Sequence, residues 1–261
     1  MGATQLAGTG MTHFQPLTSF NSKANSPYGM PIVDDCGSCK LRCNSFFCSL
    51  SNDSLRDLDA IKHTTSYPEG ALVFVEGQAA RGVFVLCQGR AKLMATSRDG
   101  RTLILKIAEP GEILGLHAVV GGTAYEVTVE TLQPSQLAFI GRDEFVKYIK
   151  THGDACLHAA QHLSRDCQAA YDSMRSIGLS HSVTEKLARL LLQWSSNARV
   201  VDGALRTKLA LTHEEIAQLI GSSRETVTRT LADFKKRHVA ELHGSTLLIW
   251  KRAELEGLAT C

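Results

Sequence analysis

The 261-residue sequence predicts an α+β protein made of a roll of antiparallel strands, a long helix and a small helical domain that ends in a hairpin. Three observations support this prediction. Short β-branched and apolar runs fill residues 67–140 between Gly, Asp-Gly and Pro-Gly breaks, which is typical of an antiparallel barrel or roll. A helical stretch with apolar residues at alternating steps of four and three follows. Near the C-terminus, two short helices are joined by a glycine turn.

Composition narrows the classes of protein that fit this chain. The formal net charge of +2 is too small to indicate a partner by itself, and 44% of the residues are hydrophobic. No apolar run approaches the roughly 18 residues that span a bilayer, and the N-terminus lacks the features of a secretory signal. We therefore expect a soluble, cytoplasmic protein without membrane contact. In that reducing environment, eight cysteines indicate metal or redox chemistry.

The N-terminal part of the chain divides into a tail and a cysteine-rich segment. Residues 1–30 are rich in Gly, Ser, Thr and Asn without a sustained period, which predicts a flexible tail. Residues 31–50 contain four cysteines. The stretch SNDSLRDLDAIKH follows and predicts a helix, because Leu55, Leu58 and Ile61 share one face after an Asn/Asp/Ser start.

Residues 51–150 are assigned to the roll, which is the predicted sensor domain. Asp99-Gly100 predicts a hairpin between two of its strands, and GRDEFVKYIK predicts a closing helix. The predicted strand runs are ALVFVEG, GVFVLCQG, KLMATS, TLILKIA, EVTVETL and QLAFIG.

A long helix is predicted over residues 151–180. Its alternating steps of four and three make a heptad seam, which indicates two helices packing side by side. The alternative is a helix that packs only on its own β domain, but a face buried against a globular core is usually wider than this stripe. We therefore predict a parallel homodimer. The seam begins at Cys156, and the predicted interface residues are Ala160, Leu163, Cys167, Ala170, Met174 and Ile177.

The C-terminal domain is predicted over residues 181–261. It begins with the amphipathic helix VTEKLARLLLQW and a polar loop, SSNARVVDGAL. Thr212 and Glu215 then form a capping box for a short helix, and Gly221 allows the sharp turn that ends it. After the second helix, Gly244 in HGST predicts a hairpin. The order of elements indicates a winged helix-turn-helix.

The second helix of the pair has two different faces. We expect it to start at a second capping box, formed by Ser222 and Glu225. At about 100° per residue, Val227, Leu231 and Phe234 share the inward face. The side chains predicted to reach outward are Arg224, from the edge of the inward face, and Glu225, Thr228 and Arg229.

The outward side chains suit double-stranded DNA. An arginine can contact guanine bidentately in the major groove, and a glutamate can accept from the cytosine amine. Lys235, Lys236 and Arg237 add positive charge for phosphates. Each residue alone has a plainer explanation, with Glu225 as a helix cap and the basic residues as solvated surface. The agreement of the turn, the caps and both faces favours DNA binding.

The segment GSSRETVTR, inside LTHEEIAQLIGSSRETVTRTLADFKK, closely resembles the recognition region of the CRP/FNR family of bacterial transcription regulators. The resemblance extends over about residues 50–250, and the layout is closest to the oxygen-sensing FNR-like branch. It implies a homodimer that binds inverted-repeat promoter sites and contacts RNA polymerase, with the loop at 195–204 as the candidate contact. The base-reading residues that the resemblance implies are Arg224, Glu225 and Arg229.

The same resemblance argues against a cyclic nucleotide as the ligand of the roll. Nucleotide-binding members hold the ligand with a glutamate and an arginine, and the matching stretch GEILGLHAVVGGTAYEVTVE has Leu116 and Tyr125 at those positions. A phosphate buried there without a cationic partner would be costly. We therefore do not expect a cyclic nucleotide.

The cysteine-rich segment CGSCKLRCNSFFCSL is the remaining candidate sensor. Thiolates are ligands of iron–sulfur clusters and of zinc. The oxygen-sensing branch holds a [4Fe–4S] cluster with a similar segment before its roll. The spacing C-x2-C-x3-C-x4-C is compact enough to surround one cluster. The expected metal ligands are Cys36, Cys39, Cys43 and Cys48.

Several alternatives stay open at this site. The oxygen-sensing branch takes its fourth ligand from a late strand, where this chain has Ala138, so Cys87 is the alternative ligand if one local cysteine is spare. Zinc is the rival metal, and a thiol–disulfide switch is the third possibility. His117 as a haem ligand is less favoured than ordinary polar structure. The isolated cysteines expected to be packing or unreactive thiols are Cys87, Cys156, Cys167 and Cys261.

The sequence therefore predicts a DNA-binding transcription regulator that is controlled by oxygen or redox state through a cysteine-ligated iron–sulfur cluster. One alternative is a regulator of the same family with a small-molecule effector in the roll and a structural zinc or thiol switch at the cysteines. A metal-cluster enzyme is the alternative from another class. It is disfavoured because the sequence shows no acid, base and nucleophile constellation and no phosphate-cradling glycine loop.

Overall fold

The computed structural model describes residues 28–33, 35–40, 48–179, 182–196, 198–209 and 211–259. Most of the predicted tail, together with Cys43 and Cys261, lies outside these residues. The helices are α1 (Asn52–Ile61), α2 (Leu116–Gly121), α3 (Arg142–Thr151), α4 (Gly153–Leu179), α5 (Val183–Trp194), α6 (His213–Ile220), α7 (Arg224–Lys236) and α8 (Arg252–Ala259). The strands are β1 (His63–Tyr67), β2 (Leu72–Phe74), β3 (Gly82–Gln88), β4 (Ala91–Thr96), β5 (Thr102–Ala108), β6 (Ile113–Leu114), β7 (Thr128–Thr131), β8 (Ser135–Gly141), β9 (Arg199–Val201), β10 (Ala204–Lys208), β11 (Ala240–His243) and β12 (Thr246–Ile249).

Two antiparallel four-stranded sheets form the roll, with strand orders β1-β8-β3-β6 and β2-β7-β4-β5. Their inward side chains pack with α1, α3 and the start of α4 into one apolar core. Leu86 and Leu137 are fully buried at the centre of that core. The hairpin predicted at Asp99-Gly100 joins β4 to β5, and the positive φ of 82° at Gly100 explains the need for glycine there. The predicted α+β architecture is confirmed.

Two details of the roll differ from the prediction. It begins at β1, four residues before Tyr67, because HTTSY is polar enough to resemble a loop and becomes a strand only by pairing with β8. The short helix α2, which contains His117, was not among the predicted elements. Neither difference changes the order of the domains.

Helix α4 is attached to the roll along one face. Ala159 is buried against the core of the roll, and His162, three residues further along α4, is buried as well. Burial opposes ionisation of Asp166, but the neighbouring His117, His162 and Lys106 side chains hold the pKa of this carboxyl well below its usual range. Lys106 donates to Asp166 across 2.9 Å. A cluster of charged and polar side chains thus joins α4 to the roll.

The predicted dimer seam lies mainly on the other face of α4. Met174 is 68% exposed in the single chain, which is unusual for a large apolar side chain. Leu163 is different, because it stands between the two faces and packs partly against the core of the roll. The side chain of Ile177 lies outside those described. The exposed seam residues are Cys156, Ala160, Cys167, Ala170 and Met174.

The C-terminal domain has its own core beneath a sheet of order β11-β12-β10-β9. Here the prediction of a polar loop at SSNARVVDGAL is wrong, because much of that stretch forms the β9–β10 hairpin. Asp202 and Gly203 make its turn, with positive φ values of 51° and 76°. An Asp-Gly pair is a hairpin signal, but the polar residues around it obscured the short strands.

One lysine connects the roll to the C-terminal domain. Lys92 on β4 lies 3.0 Å from Glu130 on β7 and 3.1 Å from Glu215 on α6. The side chains of Lys92 and Glu215 are only 12% and 15% exposed, so the group is largely shielded from water. Helix α6 also packs on β5, where Leu103 approaches Gly221. These contacts position the helix-turn-helix relative to its own roll.

We predict that Lys92→Ala lowers the free energy of unfolding by roughly 1–3 kcal/mol, because two shielded carboxylates lose their shared cation. Urea denaturation followed by tryptophan fluorescence measures this change. Arg101→Ala is the matched control, since Arg101 pairs with Asp99 but is 88% exposed, and its expected cost is below about 0.5 kcal/mol. Equal stability of the two variants would contradict the connecting role of Lys92.

Candidate DNA interface and cysteine site

The first helix of the pair, α6, is capped as predicted. Thr212 accepts a hydrogen bond from the N–H of Glu215 at 3.2 Å, and Glu215 accepts from the N–H of Thr212 at 2.9 Å. This reciprocal box satisfies two donors that the start of a helix would leave unpaired. At the other end, Gly221 adopts a left-handed conformation and donates to Ala217. Both ends of α6 are therefore defined by the local sequence.

The second helix, α7, starts one residue later than predicted. Ser223 is its N-cap, and its hydroxyl accepts from the N–H of Thr226 at 3.3 Å. The capping box of Ser222 and Glu225 is therefore wrong. Ser222 instead donates its N–H to Ala217 at 2.9 Å, which completes the C-terminal cap of α6. The turn needs this extra residue, and pattern spacing alone did not show it.

The two faces of α7 are as predicted. Val227, Leu231 and Phe234 are buried in the core of the C-terminal domain. Because successive helical residues turn by about 100°, burial of these three directs the intervening side chains into solvent. The exposed side chains of this surface, which we call the recognition surface, are Arg224, Glu225, Thr228 and Arg229.

The recognition surface carries charged side chains, and Arg229 is only weakly held by hydrogen bonds within the protein. Hydrogen bonds from its own N–H and from Ser223, with smaller contributions from Arg224 and Arg229, lower the pKa of Glu225, so this residue is an ionised acceptor at neutral pH. Arg229 contacts the hydroxyl of Thr226 at 3.4 Å, which is a long hydrogen bond. Because so long a hydrogen bond is weak, breaking it costs little free energy when Arg229 turns toward a base.

Thr228 and two of the basic residues have partners within the domain. The hydroxyl of Thr228 lies 2.9 Å from the Nδ1 atom of His213 on α6, which ties it to the helix-turn-helix frame. Lys235 pairs with Glu241 at 2.5 Å, and Arg237 donates to Glu254 at 2.6 Å. The positive charge beyond the recognition surface is therefore more strongly neutralised than a count of lysines and arginines indicates. Sequence reasoning missed these pairs because they join residues from different elements.

A hairpin wing follows α7. Strands β11 and β12 pair antiparallel from Ala240↔Ile249 to His243↔Thr246, and Gly244 turns between them with a φ of 57°. The predicted wing is therefore present. Together with α6 and α7, it completes a winged helix-turn-helix.

Residues 31–33 are hydrogen-bonded to side chains of strands β3 and β8. The side chain of Gln136 on β8 accepts from the N–H of Val33 at 2.9 Å and donates to its carbonyl at 3.0 Å. On β3, Gln88 donates to the carbonyl of Pro31 at 2.7 Å. We call residues 31–33 with these contacts the N-terminal strap. Neither glutamine was predicted, because a glutamine in a strand gives no sequence signal for such a role.

Beyond the strap, Cys36 is held by α1. Its N–H donates to Asp59 at 3.1 Å, and the Lys62 ammonium donates to its sulfur at 3.2 Å. Burial raises the pKa of the Cys36 thiol to about 11, although the nearby Lys62 opposes that change. Without a bound cation, this thiol therefore stays protonated at neutral pH.

The roll brings Cys87 toward the cysteine-rich segment. Cys36, Cys48 and Cys87 all pack partly buried against the core of the roll. Burial, followed by the charges of Cys48, Cys36 and Cys39, raises the pKa of Cys87 to about 12. Among the residues that the structure describes, no three His, Cys, Asp or Glu side chains converge as a site for a single metal ion. Of the four predicted ligands, Cys43 lies outside the described residues.

The positions that hold a cyclic nucleotide in the resembling regulators are filled by apolar groups. Leu116 and Tyr125 are both buried. The Tyr125 ring stacks on Phe74 with centroids 3.9 Å apart, and its hydroxyl donates to the carbonyl of Gly82 at 2.6 Å. The Nε2 atom of His117 lies 3.7 Å from the carboxylate of Asp166. Cys156 and Cys167 are exposed in the single chain, so neither packs within its own domain.

We predict that Arg229→Ala loses 1–3 kcal/mol of discrimination for the specific DNA site, roughly a 5- to 150-fold loss of affinity, because one bidentate base contact disappears. Titration of a labelled operator fragment at constant salt measures the change. Arg56→Ala on α1, where the arginine side chain is 73% exposed, removes the same charge from a helix that packs on the roll and should bind like the wild type. If Arg229→Ala bound the operator as tightly as this control, the base-reading assignment would be wrong.

Comparison with known proteins is consistent with the fold and this surface. A cyclic nucleotide-binding domain family matches residues 64–152, and a Crp-like helix-turn-helix domain family matches residues 185–258. The chain is 29% identical over 184 residues to the CRP-like cAMP-activated global transcriptional regulator of Mycobacterium tuberculosis, covering 70% of this chain and 82% of that protein. It is 25% identical over 226 residues to the nitrogen fixation regulation protein FixK of Bradyrhizobium diazoefficiens, covering 86% and 93%.

A solved structure shares the same architecture. FixK2 from Bradyrhizobium japonicum superposes with a TM-score of 0.67 at 20% identity, covering 77% of this chain and 98% of that chain. The similar proteins are transcription regulators and not enzymes. No helix in the described part of the chain is long and apolar enough to cross a membrane. The order of roll, long helix and winged helix-turn-helix, together with both family matches, shows that this chain belongs to the CRP/FNR family of DNA-binding transcription regulators.

Proposed function

We propose that the protein is a homodimeric regulator of promoters with inverted-repeat sites, and that oxygen or redox state controls it through an iron–sulfur cluster held by cysteines near the N-terminus. The observation that carries the proposal is that Cys36, Cys48 and Cys87 all pack partly buried against the core of the roll, although Cys87 is far along the chain from the other two. Cys39 lies in the same segment, three residues after Cys36. Soft sulfur donors in this number are the ligand type of iron–sulfur clusters.

The chemistry of the donor set fits such a group. When bound, a [4Fe–4S] cluster supplies a redox- and oxygen-sensitive link between the cysteines that ligate it. The chain itself contributes orientation, because Asp59 fixes the backbone at Cys36 and Lys62 donates to its sulfur. Such hydrogen bonds to sulfur tune clusters in general. Zinc at the same cysteines is the rival proposal.

A short hydrogen-bonded path connects the cysteine site to α4. Three residues after Cys48, the N–H of Ser51 donates to Asp154 in the first turn of α4 at 2.9 Å. The hydroxyl of Ser54 donates to the same carboxylate at 2.6 Å. Both serines cap or begin α1, so a displacement of the cysteine segment acts directly on the start of the long helix. For control, cluster binding must favour one arrangement of α4 over another.

The roll does not suit a cyclic nucleotide, although its family is named for that ligand. We propose that the buried Leu116 and Tyr125 exclude the nucleotide, since neither can neutralise a phosphate. A different small-molecule effector in the roll remains the alternative control. The polymerase contact stays a proposal as well, and the exposed β9–β10 hairpin is its candidate surface.

The dimer proposal depends on the exposed seam of α4. We predict that Met174→Glu weakens the dimer at least roughly tenfold, because parallel helices place the two introduced carboxylates opposite each other. Size-exclusion chromatography with light scattering measures the mass. Gln161→Glu adds the same charge at an exposed position outside the seam and should leave a dimer. A wild-type monomer, or a Met174→Glu dimer of unchanged strength, would contradict the seam.

The cluster proposal predicts a coloured protein after anaerobic purification, with iron and acid-labile sulfide bound and with tight binding to promoter DNA. Exposure to air should remove the thiolate-to-iron absorption and weaken DNA binding in parallel. Absorption spectra, metal and sulfide analysis, and gel shifts in both atmospheres provide the measurements. A colourless protein that contains zinc, or DNA binding that is indifferent to air, would overturn the iron–sulfur proposal while leaving the DNA interface intact.

A further inference from the structure

We propose that His213 on α6 is a positioning residue for DNA recognition, because it fixes the direction in which the hydroxyl of Thr228 meets one base pair of each half-site. This inference rests on the proposed recognition surface and adds a residue that lies outside it. Arg224, Glu225 and Arg229 are charged, whereas Thr228 is the neutral member of that surface. What Thr228 contributes to base choice therefore depends on the direction of a single O–H bond.

Helix α7 contains three threonines, and their hydroxyl groups have different partners. The Thr226 hydroxyl lies 3.0 Å from that of Ser223, the N-cap residue. The Thr230 hydroxyl donates to the carbonyl of Thr226 at 2.9 Å and so bonds to its own helix, which is a common arrangement for a helical threonine. The Thr228 hydroxyl instead lies 2.9 Å from the Nδ1 atom of His213 on the other helix of the pair. His213 therefore holds this hydroxyl in a different direction from that of Thr230.

Both ends of this hydrogen bond are attached to backbone that the domain core fixes. His213 is half-buried and is the first residue of α6, directly after the capping residue Thr212, and Ile216 on the next turn is fully buried. Thr228 is exposed and directly follows the buried Val227 on α7. Because a β-branched side chain has few χ1 rotamers, the bond to His213 leaves the hydroxyl little freedom. The surface therefore presents a preorganised group to DNA.

The hydrogen bond also limits what Thr228 offers to a base. A hydroxyl has one proton, and a neutral imidazole has one donor and one acceptor nitrogen. If Nδ1 accepts the proton of Thr228, the oxygen can only accept, which suits the amine of adenine or cytosine in the major groove. If Nδ1 donates, the hydroxyl is free to donate, which suits guanine O6 or N7, adenine N7 or thymine O4. In either arrangement one kind of base edge is favoured, whereas a freely rotating hydroxyl can donate and accept and loses that preference.

A panel of operator fragments in which each base pair is varied in turn tests the assignment. The Thr228 base pair is the one at which Thr228→Val loses base preference. The wild type should prefer its base there by roughly 5- to 150-fold in affinity. We expect His213→Ala to reduce this preference to below about twofold and to leave the preferences at the other base pairs unchanged. His213→Asn, whose amide takes the place of Nδ1, should retain the wild-type preference.

Matched variants separate positioning from a general loss of binding. Thr230→Val removes a hydroxyl of α7 that bonds to the helix backbone, so it should keep the wild-type preference at every base pair. In the Thr228→Val background, His213→Ala should have no further effect on base preference. Thermal melting followed by circular dichroism shows whether each variant is folded. If His213→Ala does not fold, His213→Gln makes the same comparison, because its amide lies one carbon further from the backbone than Nδ1.

Three results would overturn the inference while leaving the rest of the DNA interface intact. The first is a Thr228→Val protein with unchanged preference at every base pair. The second is a folded His213→Ala or His213→Gln protein that keeps the wild-type preference at the Thr228 base pair. The third is an effect of His213→Ala that is equal for all operators or persists in the Thr228→Val background, which indicates a phosphate contact. If the wild type prefers no operator over random DNA, the recognition surface is wrong as well.

Discussion

The structure depends on one constraint, which is that helix α7 must bury Val227, Leu231 and Phe234 to complete the core of the C-terminal domain. Burial of three large apolar side chains is worth several kcal/mol. Because the helix turns by about 100° per residue, burial of this face determines the direction of every other side chain on α7. Arg224, Glu225 and Arg229 are consequently exposed in a fixed relative orientation, which is what base recognition requires.

The long helix α4 connects the C-terminal domain, which carries α7, to the roll. Its buried face is held by Asp166 and Ala159 against the roll, and its first turn is hydrogen-bonded to the segment that follows the cysteines. Its exposed face carries the residues of the proposed dimer seam. One element therefore joins the proposed sensor to the proposed dimer interface. The Lys92 bridge adds a direct contact between the roll and α6. The roll therefore contacts both α4 and the helix-turn-helix.

Periodicity in the sequence was sufficient to predict the order of roll, long helix and helix-turn-helix and the two faces of α7, because each depends on residues close together along the chain. The prediction failed where residues distant in sequence determine the structure. The polar strand β1 pairs with β8, and Gln136 is hydrogen-bonded to Val33 from more than one hundred positions away. The packing of Cys87 against the same core as Cys36 and Cys48 has the same origin. The N-cap at Ser223 was missed for a local reason, because the turn between α6 and α7 contains one more residue than the spacing of the motif indicated.

The central claim, that the exposed face of α7 reads a specific DNA sequence, is tested most directly by selection from random DNA with purified protein. The account predicts an enriched inverted repeat with half-sites about 10–10.5 base pairs apart from centre to centre. It also predicts that substitutions at the recognition surface change the preferred bases within each half-site. Recovery of no enriched sequence, or of one that stays unchanged when Glu225 and Arg229 are replaced, would contradict the account.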